Sequence, residues 1–310
     1  MPDRMSVNHD AQFAMLQGQY ERRGERLDIY CAIQRGKRKV LKRDGKEYQR
    51  LSEHVGLLPL VMVSPMDTEL IRGSGDDRRR LINQIISQSD RNYLDALIRY
   101  AKALENRNAM LKRGVRDSIL FESVEEQLCT SAAYIHGVRE NWIEEFTPIF
   151  MDYYHAITDG EEAVSLEYRS HLNEMPMWKN LCETRDVDAA VGFTTRGVHR
   201  DDIELMLGDY AMRKTGSQGQ CKTYTIALRL AQFDFLKKTC GITPLLLLDD
   251  IFDKLDSRRV RNIIDVVSGN RGEGFGQIFI TDTNRTHLDE IISSVGSDYR
   301  IFHVEEGAIG

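Results

Sequence analysis

The chain has 310 residues, of which 41% are hydrophobic and 29% charged, a composition typical of a globular protein with one large domain or two ordinary ones. No apolar run approaches the roughly 20 residues of a membrane span, and the first ten residues lack the apolar core of a signal peptide. The net charge of -6 excludes a uniformly basic coat for nucleic acid but allows a local basic face.

The cysteines indicate a compartment. All five are scattered along the chain without a Cys-x-x-Cys pair, so the sequence indicates neither a zinc site nor a disulfide framework. We therefore expect reduced thiols in a cytoplasmic protein.

The first 50 residues predict an antiparallel meander. Apolar and polar side chains alternate over 13–19 and over 27–33, as in half-buried strands, with a charged turn around Gly24 between them. A second turn at 44–45, Asp-Gly, is a strong hairpin signal. The basic stretch 37–46 is either a solvated turn or a surface for DNA phosphates. Its candidate phosphate contacts are Lys37, Arg38 and Lys39.

The apolar run 57–64 predicts another strand of a central sheet, and a second cationic segment follows it. Asp76 or Asp77 is suited to cap a helix whose first turn would hold three arginines, although a helix N-terminus favours anions. Either the arginines face phosphate or carboxylate groups, or they pair in solvent with Asp76 and Asp77. These three are Arg78, Arg79 and Arg80.

Two long helices are predicted between residues 80 and 171. The first has an apolar stripe that includes Leu94, Ile98 and Leu104, with Arg107 on its polar face. The second covers about 121–146 and is interrupted near Pro148. Two such helices with a break between them predict a hairpin arm or helical subdomain.

Two loops carry polar groups. Segment 192–202 contains His199 and Asp201, but His-x-Asp alone is weak evidence for catalysis, and we interpret the segment as a structural or phosphate-adjacent loop. Segment 216–223 nearly matches the phosphate-binding Gly-x-x-x-x-Gly-Lys-Thr, yet Cys221 replaces the second glycine and no apolar strand precedes it. We interpret it as the start of a helix with exposed donors for an anion.

The most informative stretch is the leucine run 245–248, which Asp249 and Asp250 follow directly. The leucines predict a strand buried on both faces, as in a parallel sheet, and ligands bind at the carboxyl end of such strands. One carboxylate there suits Mg²⁺ bound to nucleotide phosphates, and the other suits the activation of water. An acidic turn after a buried strand is the alternative. Helices and strands alternate after residue 216, which predicts a parallel α/β sheet.

Several separated motifs, in order, resemble the RecF family of bacterial recombination mediators. The resemblance covers essentially the whole chain and implies an α/β fold like the head of an ATP-binding-cassette ATPase, with a mostly parallel sheet, an antiparallel β meander and an inserted helical arm. Its expected parts are a first lobe over 1–75, an arm over 76–185 and the rest of the first lobe over 186–310. The matching segments are Ser-Gln-Gly-Gln at 217–220 (signature motif), 245–250 (Walker B), 253–256 (D-loop), 197–202, 78–80, 93–111 and 277–283.

The resemblance implies a role for each residue of the site. Two heads would dimerise on ATP, with the signature motif of one subunit facing the ATP held by the other. Asp249 would hold Mg²⁺, Asp250 would activate water, and Asp256 of the D-loop would touch the partner subunit. The residues facing the partner's ATP would be Ser217, Gln218, Gly219 and Gln220.

The same resemblance implies the partners and the activity. The family binds single-stranded and gapped double-stranded DNA, works with recombination mediator proteins of the same pathway, helps to load the recombinase and hydrolyses ATP weakly when DNA stimulates it.

One departure bears on activity. Family members begin with a strand and a Gly-x-x-x-x-Gly-Lys-Thr loop, and no stretch of the 310 residues supplies one. We therefore expect these residues by themselves to bind ATP weakly. The alternative function is a non-catalytic fragment that binds DNA or protein through its arm and basic segments, with no ATP binding of its own.

Overall fold

The antiparallel meander forms as the alternation predicts. The computed structural model describes residues 3–115, 117–160, 162–253, 255–268, 274–283, 299–305 and 308–309. The meander's strands are hydrogen-bonded in the order β1-β2-β3-β4, and two-residue turns join β1 to β2 and β3 to β4. Both turns have positive φ at both central residues, 54° and 78° at Arg23-Gly24 and 50° and 77° at Asp44-Gly45, which matches the twist of a hairpin. The strands are β1 Phe13–Arg22, β2 Glu25–Gln34, β3 Val40–Arg43 and β4 Lys46–Glu47.

A parallel sheet carries the leucine run. Its order is β10-β9-β5, with β5 Leu60–Val63, β9 Leu245–Asp249 and β10 Ile278–Thr281. One face, which includes Leu246 and Leu248, is buried. On the other face Met62 and Phe279, which flank Leu247, are 43% and 48% exposed. The expectation that both faces of the leucine strand are buried is therefore wrong for the described residues, because helices cover one face of the sheet there.

The remaining strands form two small antiparallel sheets. The first has the order β6-β7-β8, and its strands are β6 Val164–Arg169, β7 Asp202–Leu207 and β8 Tyr210–Ala211. The second pairs β11 Val304–Glu305 with β12 Ala308–Ile309.

The helices of the described residues differ greatly in length. Two single turns, α1 and α6, lie next to much longer helices. None of the helices in the described residues combines the length and the apolarity that crossing a membrane requires. Their bounds are α1 Glu69–Arg72, α2 Gly75–Ser89, α3 Arg91–Lys112, α4 Ser118–Thr158, α5 Met177–Val191, α6 Met212–Thr215, α7 Gln218–Cys240 and α8 Ser257–Val267.

Helix α4 is longer than predicted because Pro148 does not end it. The helix has 41 residues, which is roughly 60 Å at 1.5 Å per residue. Pro148 has no N–H to donate, but buried aromatic rings on both sides of it, at Phe146 and Phe150, anchor the helix in the core. The Phe150 ring lies 4.6 Å from that of Tyr224 on α7. Packing therefore outweighs the local penalty.

The predicted apolar stripe of α3 is also wrong in register. Ile98, assigned to the buried side, is 50% exposed, whereas Arg107, assigned to the polar side, is 1% exposed. Arg107 is buried because acidic partners on α4 and α5 satisfy its guanidinium. A pattern that counts only apolar residues cannot detect this. The side chains on the buried face are Tyr93, Ala96, Tyr100, Ala103, Arg107 and Met110.

One continuous core connects these layers. It contains residues of α2, α3, α4, α5, α7 and α8 together with the parallel sheet. At its centre Trp142 stacks on Phe146 at 4.5 Å, and Phe235 of α7 meets both rings edge-on. Helix α7 thus holds the parallel sheet against the long helix. The proposed division of the chain into three parts remains a prediction.

Candidate functional site

Asp249 and Asp250 lie where the sequence predicts them, at the carboxyl end of β9. The Thr281 hydroxyl, at the end of neighbouring β10, donates to Asp249 Oδ1 at 2.5 Å. The Asp250 amide donates to the Thr281 carbonyl at 3.0 Å. Asp250 has a left-handed backbone with φ 50°, a conformation that Asp tolerates better than most residues. The last residue of β10 therefore fixes the Asp249 carboxylate and the backbone of Asp250 at the edge of the sheet.

The signature segment forms the N-terminus of α7. Ser217 is the N-cap: its hydroxyl accepts from the Gln220 amide at 3.2 Å. The Gln220 side-chain oxygen accepts from the Ser217 amide at 2.8 Å, which completes a capping box. Ser217 and Gln218 are exposed and Gly219 is half-buried. The predicted helix start is therefore confirmed and is open to solvent.

Lys222 joins the strand end to the helix start. From the first turns of α7 its Nζ donates to the Asp253 carbonyl at 2.6 Å and to the Asp250 carbonyl at 3.4 Å. These two hydrogen bonds therefore tie the first turns of α7 to the loop that follows β9. Cys221 is buried within the helix, 3% exposed, so this segment does not form a phosphate-binding loop. Sequence reasoning missed Lys222 because no periodicity marks the partner of a lysine.

Asp256 closes the next loop and begins α8. Its side chain accepts from the Arg259 amide at 2.9 Å and pairs with the Arg259 guanidinium at 3.5 Å, yet it stays 58% exposed. An N-cap carboxylate both satisfies a free amide and matches the helix dipole. Of the D-loop segment, Lys254 lies outside the described residues.

The donors at the sheet edge are of one chemical kind. Asp249, Asp250 and Thr281 offer carboxylate and hydroxyl oxygens, and Mg²⁺ prefers such hard donors, usually one or two carboxylates together with substrate phosphates. Over the described parts of the chain, no three His, Cys, Asp or Glu side chains group as a metal site. The donor set fits a Mg²⁺ whose coordination phosphate oxygens complete.

The three arginines of α2 have different surroundings. Arg78 is buried and grips both oxygens of Asp202 at 2.7 and 2.8 Å. Arg79 donates to the Asp201 carbonyl and to Asp76. Arg80, with a side chain 66% exposed, pairs with Asp77 at 3.3 Å. The three arginines near the start of α2 therefore pair with carboxylates and a carbonyl of the protein itself. Because Arg78 is buried, it cannot reach DNA without unfolding, which corrects its assignment as a DNA contact.

The basic loop lies between β2 and β3. Lys37 and Arg38 are exposed and Lys39 is half-buried. On β3, Lys42 lies over the Tyr30 ring at 5.5 Å. The loop and the adjoining strand thus concentrate positive charge on a chain that is acidic overall.

His199 has a structural environment. Its Nδ1 accepts from the Tyr100 hydroxyl at 2.7 Å and its Nε2 donates to the Thr194 carbonyl at 3.0 Å. Burial, together with the neighbouring Arg200 and Arg79, lowers the pKa of His199 to about 4, although the hydrogen bond to Thr194 and the charge of Asp201 oppose this shift. The ring is therefore neutral and locked in one tautomer, as a structural loop requires.

A buried ion pair lies beside this loop. Arg139 of α4 reaches Asp201 at 2.5 Å, and the two side chains are 2% and 0% exposed. The Tyr168 hydroxyl also donates to Asp201 at 2.5 Å. Sequence reasoning missed Arg139, because a charged residue on a helix is by default assigned to solvent.

Comparisons with known proteins identify the relatives of this chain. No family model matches it. The protein named "DNA replication and repair protein RecF" of Parabacteroides distasonis is 51% identical over 308 residues, covering 99% of this chain and 84% of that protein. The protein of the same name from Porphyromonas gingivalis is 49% identical over 311 residues, covering 100% of this chain and 85% of that protein.

A solved structure confirms the fold class. The structure of the recombination mediator protein RecF-ATPrS in the RecFOR pathway superposes with a TM-score of 0.82 at 25% identity, covering 100% of this chain and 83% of that chain. That of RecF-ATP gives 0.78 at 26% identity over 90% of this chain and 77% of that chain. The expected ATPase-head fold with its helical arm is therefore confirmed, and the chain belongs to the RecF family.

Proposed function

We propose that the protein is an ATP-dependent DNA-binding protein of DNA replication and recombinational repair that works in a RecFOR-type pathway. The names of its relatives and of the solved RecF structures support this role. The observation that carries the proposal is the junction of β9 with α7. Lys222, which follows the signature turn in α7, donates to the carbonyls of Asp250 and Asp253 in the loop after β9.

Each residue of the junction has a role in the proposal. Asp249, fixed by Thr281, would hold a Mg²⁺ ion, and Asp250 would accept a proton from the attacking water. Bound Mg²⁺ would offset the negative charge of the ATP phosphates. The exposed Ser217 hydroxyl and the amide of Gly219 would donate to the γ-phosphate held by a partner subunit. Asp256, exposed at the start of α8, would contact the partner.

The proposed macromolecular partners follow from the family and from surface charge. A second copy would complete each ATP site. Single-stranded and gapped double-stranded DNA would bind across the dimer, with the loop at Lys37 and Arg38 contacting phosphates. The remaining partners would be recombination mediator proteins of the same pathway, and the site of action would be the cytoplasm.

We keep a second candidate function because the basic loop and the arm contain none of the residues assigned to the ATP site. As a non-catalytic fragment, the chain would bind DNA with strong salt dependence and ignore ATP. The two functions differ in one measurable property, which is whether ATP changes self-association.

The test is the molar mass and DNA affinity of the protein encoded by the complete open reading frame. Light scattering with ATP, ADP and no nucleotide is expected to show doubling of the mass with ATP and Mg²⁺ only. Affinity for gapped DNA is expected to rise with ATP. A mass and an affinity that are the same in all three conditions would overturn the proposal in favour of the ATP-independent fragment.

A further inference from the structure

Glu162, in the segment between α4 and β6, links the end of α4 to the start of α7, which is distant in sequence. One of its oxygens accepts from the Gln220 side-chain amide at 2.7 Å. The other accepts from the hydroxyl of Tyr154, in the last turns of α4. Glu162 is half-buried, so these contacts are partly shielded from water. The end of the long helix is thereby joined to the first turn of α7.

Both polar atoms of the Gln220 side-chain amide are engaged. Its nitrogen donates to Glu162, and its oxygen accepts from the Ser217 amide at 2.8 Å. Gln220 therefore braces the signature turn from within the chain. Its orientation, and with it that of Ser217, depends on what holds its nitrogen. In the described residues that group is the Glu162 carboxylate.

The same end of α4 also holds the start of α8. The Asn262 side-chain amide donates to the Ile157 carbonyl at 3.0 Å and to Asp159 at 3.2 Å. Arg258 pairs with Asp159 at 2.5 Å. Both segments that would face a partner subunit, the signature turn and the segment at Asp256, are thus attached to the last turns of one helix.

We propose that Glu162 is a positioning residue for the signature turn, so that the end of α4 regulates how that turn meets the nucleotide of a partner subunit. This inference rests on the proposed function. A displacement of the arm would move the end of α4 and with it Tyr154. The hydrogen bonds described above would transmit this displacement through Glu162 and Gln220 to Ser217. The inference predicts that loss of Glu162 weakens ATP-dependent dimerisation while the protein's own ATP binding is retained.

The first test is Glu162→Ala in the protein from the complete open reading frame. Because a hydrogen bond with a charged partner is lost, we expect the ATP concentration for half-maximal dimerisation to rise about tenfold. ATP affinity of the monomer, measured with a fluorescent ATP analogue at dilute protein, should change less than about twofold. General destabilisation of the fold would weaken dimerisation and monomer ATP binding together. Weaker dimerisation with unchanged ATP binding is therefore specific for a positioning role.

The second test exchanges the two side chains. Gln220→Glu places two carboxylates against each other and is expected to impair dimerisation like Glu162→Ala. In the double variant Glu162→Gln with Gln220→Glu, the new amide donates to the new carboxylate and its oxygen still accepts from Tyr154. Dimerisation is expected to return to within about threefold of the parent value.

The matched control is Glu167→Gln on β6, whose side chain is 49% exposed and pairs with Arg169 at 3.1 Å. It should leave dimerisation unchanged. If the parent protein dimerises with ATP but Glu162→Ala does so equally well, or the exchange gives no rescue, the role of Glu162 is wrong. If the parent does not respond to ATP, the proposed function itself fails.

Discussion

Charged side chains form clusters in two regions of this molecule, and the two regions differ in how deeply those side chains are buried. Along the long helices, the ion pairs of Arg139 on α4 with Asp201 and of Arg107 on α3 with Asp188 are almost completely buried. At the sheet edge, Asp249 and Asp250 are only partly buried, and Asp256 is exposed. The same residue types thus specify the packing of helices in one place and remain accessible for a ligand in the other. Burial, and not residue type, separates the two roles.

The largest effect is expected from the buried region. Asp201→Asn leaves the Arg139 guanidinium buried without its counter-charge, and we expect unfolding free energy to fall by about 3–5 kcal/mol. Urea unfolding monitored by circular dichroism measures this. Asp209→Asn, at an exposed turn, is the control and should change stability by less than about 0.5 kcal/mol. A loss below about 1 kcal/mol for Asp201→Asn would contradict the proposed importance of the pair.

At the sheet edge the same change should affect chemistry and not stability. Asp250→Asn keeps a residue type that accepts positive φ, so the fold should be retained. Loss of the base should lower ATP turnover by about 100-fold or more while ATP-driven dimerisation persists. Phosphate release and light scattering on the product of the complete open reading frame measure the two. Unchanged turnover would refute the role of Asp250 as base.

His199 allows the buried region to be probed by pH. Because its folded pKa of about 4 lies below the value of 6.5 for an unfolded chain, the unfolded state binds the extra proton. Stability from this group is complete above pH 6.5 and is lost as the pH falls toward 4. Between pH 7 and 5 the loss should be on the order of 2 kcal/mol.

The variants His199→Gln and His9→Gln test this assignment. The first should flatten the stability profile between pH 7 and 5, and the second, at an exposed histidine, should not. Tyr100 is hydrogen-bonded to this ring, and the charge of Asp201 acts on it. The comparison is therefore made between pH 5 and 7, above the range in which carboxylates usually titrate. Equal slopes for the two variants would assign the pH dependence to other groups.

The smallest effect concerns the basic loop. Changing Lys37 and Arg38 to alanine should reduce the slope of log affinity against log salt for DNA by about 2, since each released phosphate contact contributes close to one. Lys102→Ala with Lys179→Ala, both exposed on the arm, is the matched control. A reduction in the control pair instead would place the DNA along the arm.

How far the sequence reaches depends on whether a signal is local. Period-two alternation and Asp-Gly turns are local, and the meander forms as predicted. The apolar run ending in two carboxylates is also local, and Asp249 and Asp250 lie at the end of β9 as it predicts. The register of α3 and the continuity of α4 through Pro148 are set by partners elsewhere in the chain, such as Asp188 and Tyr224. One sequence read alone does not show them.

Asp250 has one further consequence. Its backbone adopts the left-handed geometry that glycine and asparagine occupy most readily, so either would relax the loop. Only a carboxylate supplies the base that the proposed reaction requires. At this one position the demands of folding and of chemistry therefore diverge, and a search for more stable variants would select Asp250→Gly at the expense of turnover.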